Sequence, residues 1–250
     1  VANLLRTSNP ALSDKAFQTV GVGTGEAMTL NGTVNKTGFL LLLVVATSAW
    51  TWHLYLNSGT PQMAMGLAVV GLIGGFIAAM VTIFKKTWAG VTAPIYALLE
   101  GLALGGISAA FESKYHGIAI QAVGLTFGTM FVLLLAYRSG LIPVTQNFRL
   151  GVVAATGGIA VFYLISMVLG FFGVHFTSIF GGGPVGIAFS VIVVIVAALN
   201  LVLDFDFVET GVRMGAPKYM EWYAAFGLMV TLIWLYLEIL RLLSKIRDRN

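Results

Sequence analysis

The sequence predicts an all-α polytopic membrane protein, a bundle of seven helices that each cross a bilayer. Three observations lead there. The 250 residues are 58% hydrophobic and only 10% charged, against roughly 45–50% and 25% in soluble domains, and mean hydropathy is +0.92. Apolar runs of the roughly 20 residues needed to span hydrocarbon recur seven times along the chain. Within each run hydrophobicity is continuous, whereas the strands of a membrane barrel would alternate apolar and polar residues.

Residues 1–36 come first and read as a polar N-terminal leader. They hold Arg6, Asp14, Lys15, Glu26 and Lys36 and lack the apolar core and small-residue cleavage site of a signal peptide. The membrane domain is expected over 37–246, with spans at about 37–56, 63–84, 88–111, 117–137, 150–173, 184–208 and 222–243. Trp50, Trp52 and Tyr55 at one end of the first run, and Trp222 with Tyr223 opening the last, fit aromatic anchoring at the interface. Small residues in "GLIGGF" (71–76), "GLALGG" (101–106) and "ATGGIA" (155–160) fit close helix packing in lipid. In "FGGGPVG" (180–186) the glycines and Pro184 predict the turn that opens the sixth run.

The charges fall mostly between runs. Lys85 and Lys86 follow the second, Arg138 and Arg149 flank the fourth-to-fifth connection, and Arg213 and Lys218 lie before the seventh. Lys114 is the basic residue of the opposite loops, so the positive-inside tendency places the N-terminus in the cytoplasm. Seven crossings then put the C-terminus outside, in conflict with Arg241, Lys245, Arg247 and Arg249 in "RLLSKIRDRN". Either the inside loops outweigh the tail, or the last segment turns back without crossing.

Several chemistries lack their residues. There is no cysteine, and His53, His116 and His175 form no H-E-x-x-H. Ser166 and Ser190 have no G-x-S-x-G context. "GVGTGE" at 21–26 has neither a preceding strand nor a Walker lysine. No enzyme is expected and no cofactor beyond transiently bound Ca²⁺. The net charge of +4 comes from loops rather than a basic face, so the partners expected are the lipid bilayer and cations, not nucleic acid.

Charged groups at the bilayer centre cost about 2.5–3.5 kcal/mol on insertion scales, which makes membrane carboxylates functional candidates. Four stand in or at the ends of the runs: Glu100, Asp204, Asp206 and Glu238. Asp204 and Asp206 point about 200° apart on a helix. Asn200, one turn before Asp204, marks the inward face, while Asp206 and Glu209 fit a solvated helix end. Glu238 has Arg241 three residues on, the spacing of an intrahelical ion pair. Were Asp204 and Glu238 to meet, they would share a proton, titrate as one unit and offer oxygen ligands to Ca²⁺.

The stretches "LNGTVNKTG", "APIYALLEGLALGGISAAFESKYHGIAIQAV", "LAYRSGLI", "FRLGVVAATGGIA", "ALNLVLDFDFVETG" and "YMEWYAAFGLMVTLIWLYLEILRLL" resemble the transmembrane Bax inhibitor motif family, in particular its bacterial Bax inhibitor-1/YccA-like branch. The resemblance implies seven helices with the last one central, and a pH-sensitive calcium leak channel in the bacterial cytoplasmic membrane. It implies a proton sensor of two carboxylates, matched by Asp204 in "LVLD" and by Glu238 in "LYLE", where the family has aspartate. It also implies a basic latch at the end of the second span, matched by Lys85 or Lys86. Glu100 and Asp206 are the further candidate cation ligands. The alternative is a non-conducting regulator that binds other membrane proteins, such as a membrane protease. The two readings part on whether Asp204, Glu238 and Glu100 converge on one cavity.

Overall fold

The computed structural model describes residues 26–57, 60–174 and 176–249. Most of the expected leader, residues 1–25, lies outside them, as does His175. The described chain is all-α: α1 (Leu30–Asn57), α2 (Pro61–Phe84), α3 (Ala89–Lys114), α4 (Ile118–Arg138), α5 (Gln146–Phe171), a short α6 (Thr177–Phe180), α7 (Pro184–Arg213) and α8 (Met220–Asp248). All but α6 are long and apolar enough to cross a membrane. Ala27 and Pro217 form an isolated β-bridge that ties the entry of α1 to the α7–α8 turn.

The helices start and stop where local chemistry directs. Pro61 and Pro184 open α2 and α7, positions where their missing N–H costs nothing. Thr145 caps α5 by accepting the N–H of Phe148 at 3.2 Å. Glu112 accepts the Ala119 N–H at 3.1 Å, so a carboxylate from the end of α3 caps α4 across the turn. Gly117 at φ 76° makes that turn, and Gly215 at φ 65° makes the α7–α8 turn, both in the left-handed region that favours glycine. The helix α1 begins at Leu30, well inside the expected leader. Thr29 Oγ1 accepts the Gly32 N–H at 3.0 Å there, and the polar first turns pack on α8, so this helix outruns its apolar run.

The most apolar helices are not the innermost. In α8, 61% of the spanning stretch is buried, against 50% in α3 and only 6% in α5. Glycines set the approach of α1 and α2 to α3. A Cβ at Gly101 would lie 1.9 Å from Thr47 Oγ1, one at Gly105 2.3 Å from the Ser48 carbonyl oxygen, and one at Gly71 2.4 Å from that of Leu99. Ser48 Oγ donates to the Gly101 carbonyl at 2.9 Å across the resulting seam. The glycines of "ATGGIA" differ: Gly157 and Gly158 meet nothing within 4 Å, because α5 presents that face outward. Trp222 and Tyr223 also depart from simple anchoring. Trp222 packs edge-on against Phe39 of α1, and Tyr223 is fully buried.

The last segment, α8, runs the full length of the bundle rather than turning back. Its end joins the α3–α4 turn, where Arg247 donates to the His116 carbonyl at 2.8 Å and to Gln121 Oε1 at 3.0 Å, and Asp248 receives Lys114 and Tyr115. The entry of α1 lies at the opposite end, beside the α7–α8 turn.

Candidate functional site

The antiparallel pair α7 and α8 is the frame for the candidate residues. Two points fix its register: the turn between Arg213 and Met220, and the hydrogen bond from Lys245 Nζ to Ser190 Oγ at 2.9 Å. Counting inward from both places Asp204 opposite the level of Thr231, and Glu238 about two turns, or roughly 11 Å, farther along.

Asp204 is completely buried, and Asn200 one turn earlier is 3% exposed. Asn200 Nδ2 donates to Thr156 Oγ1 of α5 and to the Val196 carbonyl, both at 2.8 Å. The expected polar stripe is therefore on the inner face of α7. Asp206 leaves that face as helix geometry requires, but not into solvent. Its carboxylate meets Arg149 of α5 at 2.6 Å, with side-chain exposures of 18% and 14%. Glu209 accepts the hydroxyl of Tyr137 at the end of α4. The ends of α4 and α5 thus gather on α7; Glu209 stays exposed, as a solvated helix end requires, whereas Asp206 is held against α5 instead of facing solvent.

Glu238 is 2% exposed and held on its own helix by Arg241, whose guanidinium donates to both carboxylate oxygens at 2.9 and 3.1 Å. Tyr163 of α5 donates to Glu238 at 3.2 Å and accepts from Arg241 at 2.9 Å. Glu100 lies on another seam, between α2 and α3. A Cβ on Gly75 of α2 would stand 2.9 Å from its Oε2, so this carboxylate packs where glycine opens the α2–α3 contact. The three carboxylates accordingly do not converge: Asp204 and Glu238 stand about two turns apart along the α7–α8 pair and Glu100 lies between α2 and α3, so the shared-proton pair and the single cavity expected from sequence are not formed. A cavity of 430 Å³ opens between α1 and α4 over a floor of α3 and α8 and is lined by Val44, Trp52, Phe127 and Tyr236, with no acidic residue in its wall. Among the described residues no three His, Asp or Glu side chains gather as a metal site.

The two candidate latch lysines sit at the helix end. Lys85 closes α2, and Lys86 Nζ lies 5.7 Å from the centroid of the Tyr223 ring. Since Tyr223 is near the start of α8, this places Lys86 about two turns, or roughly 11 Å, nearer that end than Asp204.

Two functional-looking residues escaped the sequence reading. Glu221, in the first turn of α8, is fully buried and accepts the N–H and hydroxyl of Thr29, both at 2.8 Å, together with Lys36. Lys218 lies 3.3 Å from it, and that carboxylate holds the Lys218 ammonium above its ordinary pKa. Nothing in sequence joins partners so far apart along the chain. Lys245 is 4% exposed although it reads as a tail charge. Its signal was present: positions 238, 241 and 245 share one helical face.

A bundle of seven spanning helices, with ionisable side chains sequestered between them and its last helix at the centre, defines a polytopic integral membrane protein. The chain belongs to the Bax inhibitor 1 like family, whose model matches residues 9–248. Comparison with curated proteins and with solved structures gave no match.

Proposed function

We propose that the protein is a pH-sensitive cation leak of the Bax inhibitor type, passing Ca²⁺ across a bacterial cytoplasmic membrane, with Asp204 as its proton-responsive gate. The observation that carries this reading is the complete burial of Asp204 inside a membrane span, on the same inner stripe as Asn200. A carboxylate there is neutral or charged at a large difference in solvation energy. Neutral, it lets α7 and α8 pack dry; charged, it draws in water and attracts a cation. Flux therefore rises with pH. Glu238 and Arg241 form a second charged locus about two turns away, which a cation on this seam must also pass, and Glu100 is a side-seam ligand. Lys86, two turns above Asp204 and against the Tyr223 ring, serves in this reading as the latch that reaches the seam when that contact breaks.

The N-terminus is cytoplasmic in this reading. Lys36, Lys85, Lys86, Arg138, Arg149, Arg213 and Lys218 share one end of the bundle. The basic residues of the tail are largely engaged, Arg241 by Glu238, Lys245 in the core and Arg247 on the α3–α4 turn. The alternative is a non-enzymatic, non-conducting regulator of another membrane protein, favoured by the apolar cavity between α1 and α4, whose wall suits a partner more than an ion.

Dye-loaded proteoliposomes decide between them. The leak reading expects Ca²⁺ entry above that of empty liposomes, rising with pH as Asp204 loses its proton. Folded, inserted protein that gives no entry at any pH selects the regulator.

A further inference from the structure

A buried ammonium at the far end of the α7–α8 seam has no part in the gate. Lys245 Nζ donates to the carbonyl oxygens of Ile179 at 2.9 Å and Gly186 at 3.0 Å, and to Ser190 Oγ at 2.9 Å. An ammonium has three donors, and three neutral oxygens receive them. They come from α6 and the first two turns of α7, while the cation comes from α8. Ser190 is 1% and Lys245 4% exposed, so the ammonium itself is held away from bulk water.

The glycine-rich motif builds the cage. A Cβ at Gly186 would stand 2.1 Å from the Gly181 carbonyl oxygen and 2.8 Å from that of Ile179. Only glycine lets the α6 turn fold back so closely onto α7, and that fold-back brings the Ile179 and Gly186 carbonyls to one point. The turn also seats on α8, where a Cβ at Gly182 would lie 3.2 Å from the Lys245 carbonyl oxygen. Backbone packing therefore positions two of the three oxygens without using the lysine side chain.

We propose that these three oxygens form a binding site for a monovalent cation of the ammonium class, which the chain fills with its own Lys245. Ca²⁺ is a poor match, since it takes about six to eight oxygens at roughly 2.3–2.6 Å. The 2.9–3.0 Å spacing of three pyramidal contacts is that of an N–H donor. Nor is this a serine–lysine catalytic pair: with all three N–H bonds donated, Lys245 has no lone pair to take the Ser190 proton. The tethered ammonium keeps free cations out of a cage that otherwise suits them. This inference stands whether or not the protein conducts.

The test empties the cage. The full-length Lys245→Ala variant is purified in detergent, and its thermal unfolding is followed by tryptophan fluorescence in ammonium, potassium, calcium and choline chlorides at equal ionic strength. The expected result is a lowered midpoint in choline that ammonium restores in a saturable way, with calcium ineffective and the wild type responding equally to all four salts. Adding Ser190→Ala should raise the ammonium concentration needed about tenfold, the cost of one hydrogen bond to a charged group. Recovery of Lys245→Ala only when ammonium is present during extraction supports the site equally. If Lys245→Ala and the milder Lys245→Val both respond no more to ammonium than to choline, or neither is recovered in any salt, Lys245 is a structural staple and the site is refuted.

Discussion

Helices α8 and α5 are both membrane spans, yet one is the core of the bundle and the other its outer wall. The spanning stretch of α5 is the more apolar of the two, and 6% of it is buried; that of α8 is less apolar, and 61% is buried. The same inversion separates α3 from α2. In water the greasiest face turns inward, but lipid solvates leucine and valine as well as a protein core does. What must leave lipid is the polar residue and the close-packing glycine. The inner helices are where this chain keeps Glu221, Glu238, Lys245, Gly101 and Gly105.

Substitutions that exchange inner for outer positions should break the comparison most sharply. Gly105→Leu on α3 forces a side chain into the α1 backbone and should cost about 3 kcal/mol, the upper part of the usual overpacking range. Gly157→Leu on α5 meets open space and should stay within about 0.5 kcal/mol. Reversible unfolding from bilayers or mixed micelles compares the two, and equal losses would contradict the assignment of inner and outer helices. Arg149→Ala leaves Asp206 beside α5 without its cation. About 2 kcal/mol is expected, less than for fully buried pairs because both side chains keep some exposure. The double variant Arg149→Ala/Asp206→Asn should recover most of that loss in the same assay. Smallest of all, Lys114→Ala removes an ion pair with Asp248 at the exposed end of α8 and should leave the unfolding midpoint unchanged within error.

The number and positions of the spans were legible because a hydrocarbon slab demands a fixed length of apolar helix. Their inner faces were harder to read, since periodicity marks a face only where the two sides meet different solvents. Asn200 and Asp204 were exceptions: a polar stripe one turn apart in an apolar run has one economical direction. Asp206 was misread because its cation, Arg149, is not a sequence neighbour. The match of "LYLE" to a sensor motif brought Glu238 forward, yet its Arg241 neighbour, three residues away in the same helix, was the better guide to its environment. Glu221 was invisible for the reason Asp206 was misplaced, with partners Thr29 and Lys36 at the other end of the chain.

The central claim is that Asp204 gates the leak by itself. Ca²⁺ entry into proteoliposomes, measured across pH for wild type, Asp204→Asn and Glu238→Gln, tests it most directly. The account predicts that Asp204→Asn flattens the pH profile at the low-flux level, whereas Glu238→Gln changes the amplitude and keeps the profile. A profile that survives in Asp204→Asn, or that disappears in Glu238→Gln, would contradict it.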